Sequence, residues 1–69
     1  MTLTLRQQQV LALVAEGLTN RQIGERLCLA ERTIESHVAE IYDALDARNR
    51  AHAVHLGWQQ GLLGREVQG

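Results

Sequence analysis

The sequence lacks lysine, proline and phenylalanine, and its 69 residues include one cysteine, one tryptophan and one tyrosine. The absence of proline and the many aliphatic, helix-forming residues favour helices over strands. A chain of this length buries only about 60% of its unfolded surface, so we expect no deep active-site cleft. The composition therefore predicts one small all-α domain without enzymatic activity.

The single cysteine, Cys28, excludes an internal disulfide, and no secretory leader or membrane-length apolar run is evident. We therefore expect a cytoplasmic protein with no membrane contact and no cofactor. A lone cysteine of this kind is typically a small buried apolar side chain, and we expect Cys28 to be one.

The net charge of the chain is close to zero. Seven arginines stand against eight acidic residues, which gives a formal net charge of −1. No general basic field is present to attract nucleic acid, so any binding of nucleic acid must depend on a local surface.

Two capping boxes, each a threonine followed three residues later by glutamine, mark the first two helices. Thr4–Gln7 predicts a helix from Leu5 to Glu16, which Gly17 can end in the left-handed conformation. Thr19–Gln22 predicts a short second helix from Asn20 to Leu27. Its apolar side, Ile23 and Leu27, should be buried.

A longer third helix is predicted from Glu31 to Leu45. Its apolar residues recur at helical spacing and form one stripe: Ile34, Val38, Ile41, Tyr42 and Leu45. Ala30 precedes this helix and has no side-chain oxygen to cap it, so we expect the turn to depend on packing, with Leu29 as its anchor.

Asn49 can cap a last helix from Arg50 to Gly61. Ala53, Val54 and Trp58 should form its inward side. The domain then covers residues 1–63, and residues 64–69 form a loose tail.

This order of a helix, a short helix, a three-residue turn and a longer helix is that of a helix-turn-helix unit. A set of residues spread from Leu3 to Val54 carries a more specific resemblance: Leu3, Thr4, Arg6, Val10, Leu11, Glu16, Gly17, Asn20, Ile23, Leu27, Thr33, Ile34, His37, Ile41, Leu45, Asn49, Arg50, Ala53 and Val54. With these residues the sequence resembles the LuxR-type (GerE-like) DNA-binding domain, the effector domain of NarL/FixJ-type regulators. The resemblance implies a four-helix domain that regulates transcription, with the helix-turn-helix at residues 20–39 and the recognition helix at 31–45.

The predicted recognition helix is acidic, with five acids against Arg32 between residues 31 and 46. Taken alone, such a helix is more typical of a solvated outer face. The resemblance instead implies that Glu35, Ser36 and Ala39, away from the apolar stripe, face the bases. A glutamate can accept from cytosine N4, a serine can donate or accept, and an alanine methyl can contact a thymine methyl.

Contacts to the DNA backbone must then come mostly from outside that face. The amino end of the second helix combines Thr19, Asn20 and Arg21 into a site suited to one phosphate. We expect further backbone contacts from Arg32, Thr33, His37 and Arg50. His37 has an equally good alternative as a packed histidine hydrogen-bonded to a neighbouring helix.

A second stripe on the last helix consists of His52, Leu56, Gln59 and Leu63, at steps of four, three and four. The resemblance implies that this helix pairs two copies on an inverted repeat. Because the stripe is small, we expect a weak homodimer that double-stranded DNA assembles. RNA polymerase is a candidate further partner. Scattered surface leucines offer an equally good explanation of the stripe.

Other classes of function have weaker support. Ser36 and His37 are adjacent and point in different directions on a helix, so they do not form a catalytic pair. His52, His55 and Cys28 lack the second ligand pair of a usual zinc site, and we expect no metal. The alternative to DNA binding is a protein-interaction or dimerisation module whose acidic helix meets a basic partner.

Overall fold

Four helices account for most of the chain in a computed structural model, which describes residues 3–63. They are α1 (Leu5–Ala15), α2 (Asn20–Leu27), α3 (Glu31–Leu45) and α4 (Arg50–Gln59). The all-α prediction is confirmed, and α2 and α3 begin and end where the sequence predicted. Helices α1 and α4 end one and two residues earlier than predicted. The predicted loose tail, residues 64–69, lies outside the described residues.

Both capping boxes are present. The Thr4 hydroxyl accepts from the Gln7 amide at 3.1 Å, and the Gln7 side chain accepts from the Thr4 amide at 2.9 Å. The same pair of bonds joins Thr19 and Gln22 at 3.2 and 2.9 Å. Each pair satisfies amides that the first turn of a helix leaves without an intrahelical acceptor.

The helices end at residues in the left-handed region. Gly17 has φ +92°, as the sequence predicted, and Cys28 and Asp46 adopt φ 60° and 58°. The expectation that Cys28 is a buried apolar side chain is wrong, because it is exposed. It caps the end of α2 at the surface turn, a position where glycine avoids the steric penalty of a Cβ atom.

The turn between α2 and α3 brings two stretches of backbone into direct contact. The Leu29 amide donates to the Gly24 carbonyl at 2.8 Å. A Cβ atom on Gly24 would lie 2.5 Å from the Leu29 carbonyl oxygen, so this position accommodates only a glycine. As expected, Ala30 makes no side-chain cap, and the close contact at Gly24 holds the turn instead.

All four helices contribute to one core. Its largest fully buried side chains are Val10, Leu11, Ile23, Ile34 and Ile41, and Ala53 of α4 is fully buried beside them. Leu27, which the sequence predicted to be buried with Ile23, is only half-buried and packs against the edge of this core. The apolar stripe of α3 faces inward as predicted, except that Tyr42 is half-buried.

Helix α4 differs most from the prediction. Ala53 is buried as expected, but Trp58 is 57% exposed, so its predicted inward position is wrong. Leu63, predicted on the outer stripe, is only 4% exposed. The helix stops at Gln59 and the chain turns at Gly61, with φ +74°, which returns Leu63 to the core against Gly57.

Gly24→Ala should lower the free energy of unfolding by about 1–3 kcal/mol, because the new methyl meets a backbone carbonyl that cannot rotate away. Gly57→Ala is the matched control. Its Cβ atom would lie 2.9 Å from atoms of Leu11 and Leu63, which are ends of flexible side chains. Both substitutions gain similar helix propensity. Urea denaturation of the two variants measures the difference, and equal stabilities would contradict the close-contact explanation.

Candidate nucleic-acid interface

The outer face of α3 is directed away from the core. Glu35, Ser36 and Ala39, which the sequence predicted to face bases, are all exposed there. Core residues on the opposite side, Ile34 and Val38, hold this face outward. The three side chains are therefore together on one accessible surface, as a groove-reading helix requires.

This face carries net negative charge. Glu31, Glu35 and Asp43 are exposed, and Arg32 is the one basic residue within α3 other than a histidine. Arg32 and Thr33 are both exposed in the first turn, where the helix dipole favours an anion. Within α3, the one guanidinium therefore lies at the amino end, and the remainder of the outer face carries no arginine.

Glu40 is held by a neighbouring helix. Its Oε1 accepts from Gln7 Nε2 of α1 at 3.0 Å. The sequence predicts no functional role for either residue, because Gln7 has the pattern of a capping residue and Glu40 is one of several acids on α3. Only the packing of α1 on α3 joins them.

His37 lies on the same flank of α3 as Glu40. Its side chain is 25% exposed, and its Nδ1 is 3.6 Å from Glu40 Oε1, too far for a hydrogen bond. Within residues 3–63, this buried nitrogen has no hydrogen-bond partner. The alternative of a histidine bonded to a neighbouring helix is therefore not seen at Nδ1.

The amino end of α2 presents the other predicted phosphate site. Thr19 caps the helix and uses its hydroxyl to accept from Gln22, while the amides of Asn20 and Arg21 have no intrahelical acceptor at these positions. Arg21 forms a pair with Glu25 at 3.5 Å, with both side chains largely exposed. A pair this exposed is weak, so the Arg21 guanidinium stays available to other anions.

Arg50 has a structural role that the sequence did not predict. Its Nη1 donates to Asn20 Oδ1 at 3.1 Å, and its Nη2 donates to the Leu18 carbonyl. These half-buried bonds join the first turn of α4 to the amino end of α2. In the described part of the chain no carboxylate lies within 4 Å of Arg50, so its positive charge is not neutralised there.

Other kinds of site receive no support from the geometry. His52 Nδ1 accepts from the Arg48 amide at 3.0 Å, which occupies the lone pair that a metal would need. Among residues 3–63 no three potential ligands cluster around a metal position. No helix in that range is long and apolar enough to cross a membrane.

Comparison with known proteins decides the family. Residues 1–57 match GerE, the luxR family of bacterial regulatory proteins. The chain belongs to the LuxR family. It is thus a DNA-binding domain of the type found in LuxR-family transcriptional regulators, which are not enzymes.

Relatives of this LuxR-family domain include two named regulators. The chain is 39% identical over 62 residues to the HTH-type transcriptional regulator AlkS of Alcanivorax borkumensis, covering 90% of this chain and 7% of AlkS. It is 40% identical over 52 residues to the transcriptional regulatory protein LiaR of Bacillus subtilis, covering 75% of this chain and 25% of LiaR. The chain therefore spans a small part of the length of each.

A solved structure supports the same assignment. The response regulator ChrA, from a heme-sensing two-component system, matches with a TM-score of 0.86 and 34% identity. The match covers 90% of this chain and 31% of ChrA. The four-helix arrangement of this chain is thus also found in part of ChrA.

Replacing Arg50 with methionine should lower the free energy of unfolding by about 1.5–3 kcal/mol without DNA, because two charge-assisted hydrogen bonds to α2 are lost. Arg48→Met is the control, since Arg48 is exposed and its substitution should change stability by less than about 0.5 kcal/mol. Thermal and urea unfolding of both variants test this. Equal effects would show that the Arg50 bonds do not stabilise the domain.

Proposed function

We propose that this domain binds double-stranded DNA sequence-specifically, with α3 in the major groove. The main support is the accessible face of Glu35, Ser36 and Ala39 on a helix that the Gly24 contact sets against α2. Membership of the LuxR family favours DNA over a basic protein as the partner of this acidic face. Contact with RNA polymerase stays a prediction.

The contacts to DNA bases that we propose for α3 follow from the chemistry of its exposed side chains. Glu35 accepts from the exocyclic amine of a cytosine, and Ser36 donates to or accepts from a base edge. The Ala39 methyl contacts a thymine methyl. A carboxylate in the groove is repelled by the phosphates of every DNA sequence. Glu35 therefore lowers the affinity for DNA in general while it makes binding more selective among sequences.

For the DNA backbone, we propose two anchoring regions. The amino end of α2 supplies Thr19, Asn20 and Arg21, and the un-neutralised charge of Arg50 lies beside it. In this proposal Arg50 contributes mainly through its hydrogen bond to Asn20 and through the positive electrostatic potential of its guanidinium. The amino end and flank of α3 supply Arg32, Thr33 and His37.

Selection of bound duplexes from a random-sequence library should recover a defined motif for the wild-type domain. In the Glu35→Gln variant, preference at one base pair should change from cytosine towards adenine, because a glutamine amide pairs with adenine N6 and N7. The discrimination lost should be about 1–3 kcal/mol at that pair. Glu16→Gln is the control, because it neutralises an exposed acid outside α3 and should leave the motif unchanged.

A salt titration of the selected duplex separates DNA binding from the protein-interaction alternative. Neutralisation of about 3–5 phosphates per monomer predicts a log–log slope near −0.9 times that number. Failure to recover any motif would exclude the proposal. A recovered motif that is unchanged in Glu35→Gln would remove Glu35 from the readout and leave DNA binding intact.

We also propose that two copies pair on DNA through the exposed face of α4. Because Leu63 lies in the core, the proposed surface is reduced to Gln59 and the half-buried His52 and Leu56, and the exposed Trp58 extends it. A second copy is the occupant that fits, since the face is small and a regulator that reads an inverted repeat places two domains side by side. The free domain should be monomeric at micromolar concentration.

Trp58→Asp should abolish cooperative loading on an inverted repeat of the selected half-site, because it adds repelling charges where two copies meet. Leu5→Asp is the matched control, since Leu5 is an exposed leucine on α1. Gel-shift titration reports cooperativity, and circular dichroism confirms that each variant is folded. One-step cooperative loading by the Trp58→Asp protein would place the pairing surface elsewhere.

A further inference from the structure

The carboxylate of Glu40 on α3 is held by a hydrogen bond from α1. Its Oε1 accepts from Gln7 Nε2 at 3.0 Å, while Gln7 Oε1 accepts from the Thr4 amide at 2.9 Å. Gln7 thus uses both ends of its side-chain amide, and a flipped amide would lose both bonds, because the nitrogen only donates and the oxygen only accepts. The capping box of α1 therefore fixes a donor that faces the Glu40 carboxylate.

No other contact of this strength determines the direction of the Glu40 side chain. Its side chain is 58% exposed, so burial does not fix it. Among residues 3–63, no arginine lies within 4 Å of its carboxylate, and His37 Nδ1, at 3.6 Å from the same oxygen, is too far for a hydrogen bond. The bond from the half-buried Gln7 is therefore the contact that orients this carboxylate.

Position 40 adjoins the surface that we propose to face the bases. Residues four apart on a helix are neighbours on the same face, so Glu40 follows the exposed Ser36 by one turn. Long side chains on a helix point back towards its amino end, which here is the direction of Ser36. Without a restraint, the Glu40 carboxylate would therefore lean over that surface. There it would add a second negative charge to the one that Glu35 carries, and phosphates would repel it.

We propose that Gln7 is a positioning residue for DNA binding, because it holds the Glu40 carboxylate against α1 and keeps it off the surface of Ser36 and Ala39. Helix α3 then presents the carboxylate of Glu35 to the bases without that of Glu40. This inference rests on the proposed DNA binding. It gives α1, to which the proposed function assigns no role, an influence on affinity.

Gln7→Glu tests this restraint with the capping box intact, because a glutamate at this position still accepts from the Thr4 amide. The substitution replaces the donor that faces Glu40 with a second carboxylate, which repels Glu40 from α1. The dissociation constant for the selected duplex should rise by about threefold to tenfold. Gln9→Glu is the matched control. It adds the same charge at an exposed position of α1 and should change the constant by less than about twofold.

A double-mutant cycle separates the release of Glu40 from the charge added at position 7. Gln7→Glu combined with Glu40→Gln has the formal charge of the wild type, and the amide introduced at position 40 can donate to the carboxylate introduced at position 7. This double variant should bind the duplex at least as tightly as the wild type. Glu40→Gln should tighten binding by about threefold to tenfold in the Gln7→Glu background, but by less than about twofold in the wild type. Circular dichroism confirms that each variant is folded.

Equal effects of Glu40→Gln in the two backgrounds would overturn the inference, because residue 7 would then not restrain Glu40. A folded Gln7→Glu domain that binds as tightly as the wild type would overturn it too. Both results leave the proposed function standing, whereas failure to select any duplex removes both.

Nuclear magnetic resonance of the wild-type domain tests the same contact without a substitution. A nuclear Overhauser effect between the side-chain amide protons of Gln7 and the side chain of Glu40 should be present in the free domain and persist when the selected duplex is added. Loss of this effect in the complex, with binding intact, would show that DNA binding does not require the restraint and would overturn the inference.

Discussion

The close approach of α2 and α3 at Gly24 and Leu29 is the constraint on which the orientation of α3 depends. With no side chain at Gly24, the Leu29 carbonyl lies against the backbone of α2, and the Leu29 amide bonds to the Gly24 carbonyl at 2.8 Å. This contact compensates for the missing cap at Ala30, since the turn is held by packing and not by a side-chain oxygen. Ile23 and Ile34, both fully buried, complete the joint between the two helices.

Electrostatics divides the surface into regions with different tasks. The outer face of α3 is acidic, while positive charge collects at the amino end of α2 through Arg21 and Arg50. In the DNA complex that we propose, these local groups and the helix dipole supply the attraction to phosphate, because the net charge is close to zero. Affinity then depends strongly on geometry, which the Arg50 bonds to Asn20 and Leu18 hold in place.

The flank of α3 shows how one acid can change its role through a neighbour. In isolation Glu40 is one of several surface carboxylates, but its bond to Gln7 joins α1 to α3. The same oxygen is the nearest acceptor to a buried ring nitrogen of His37. Glu40 is thus part of a polar contact between two helices, although no hydrogen bond joins it to His37.

The sequence by itself determined the helices, because their signals are local: capping boxes at Thr4 and Thr19, the glycine stop at Gly17, and the apolar period of α3. It also determined the family and the exposed triplet Glu35, Ser36 and Ala39. Only the tertiary structure decided contacts between residues far apart in the chain, namely those of Gln7 with Glu40 and of Arg50 with Asn20. The tertiary structure also decided that Trp58 is exposed and that Leu63 is buried. The sequence pattern assumes that the helical spacing of α4 continues to Leu63, but α4 ends at Gln59 and the chain turns in the left-handed conformation at Gly61.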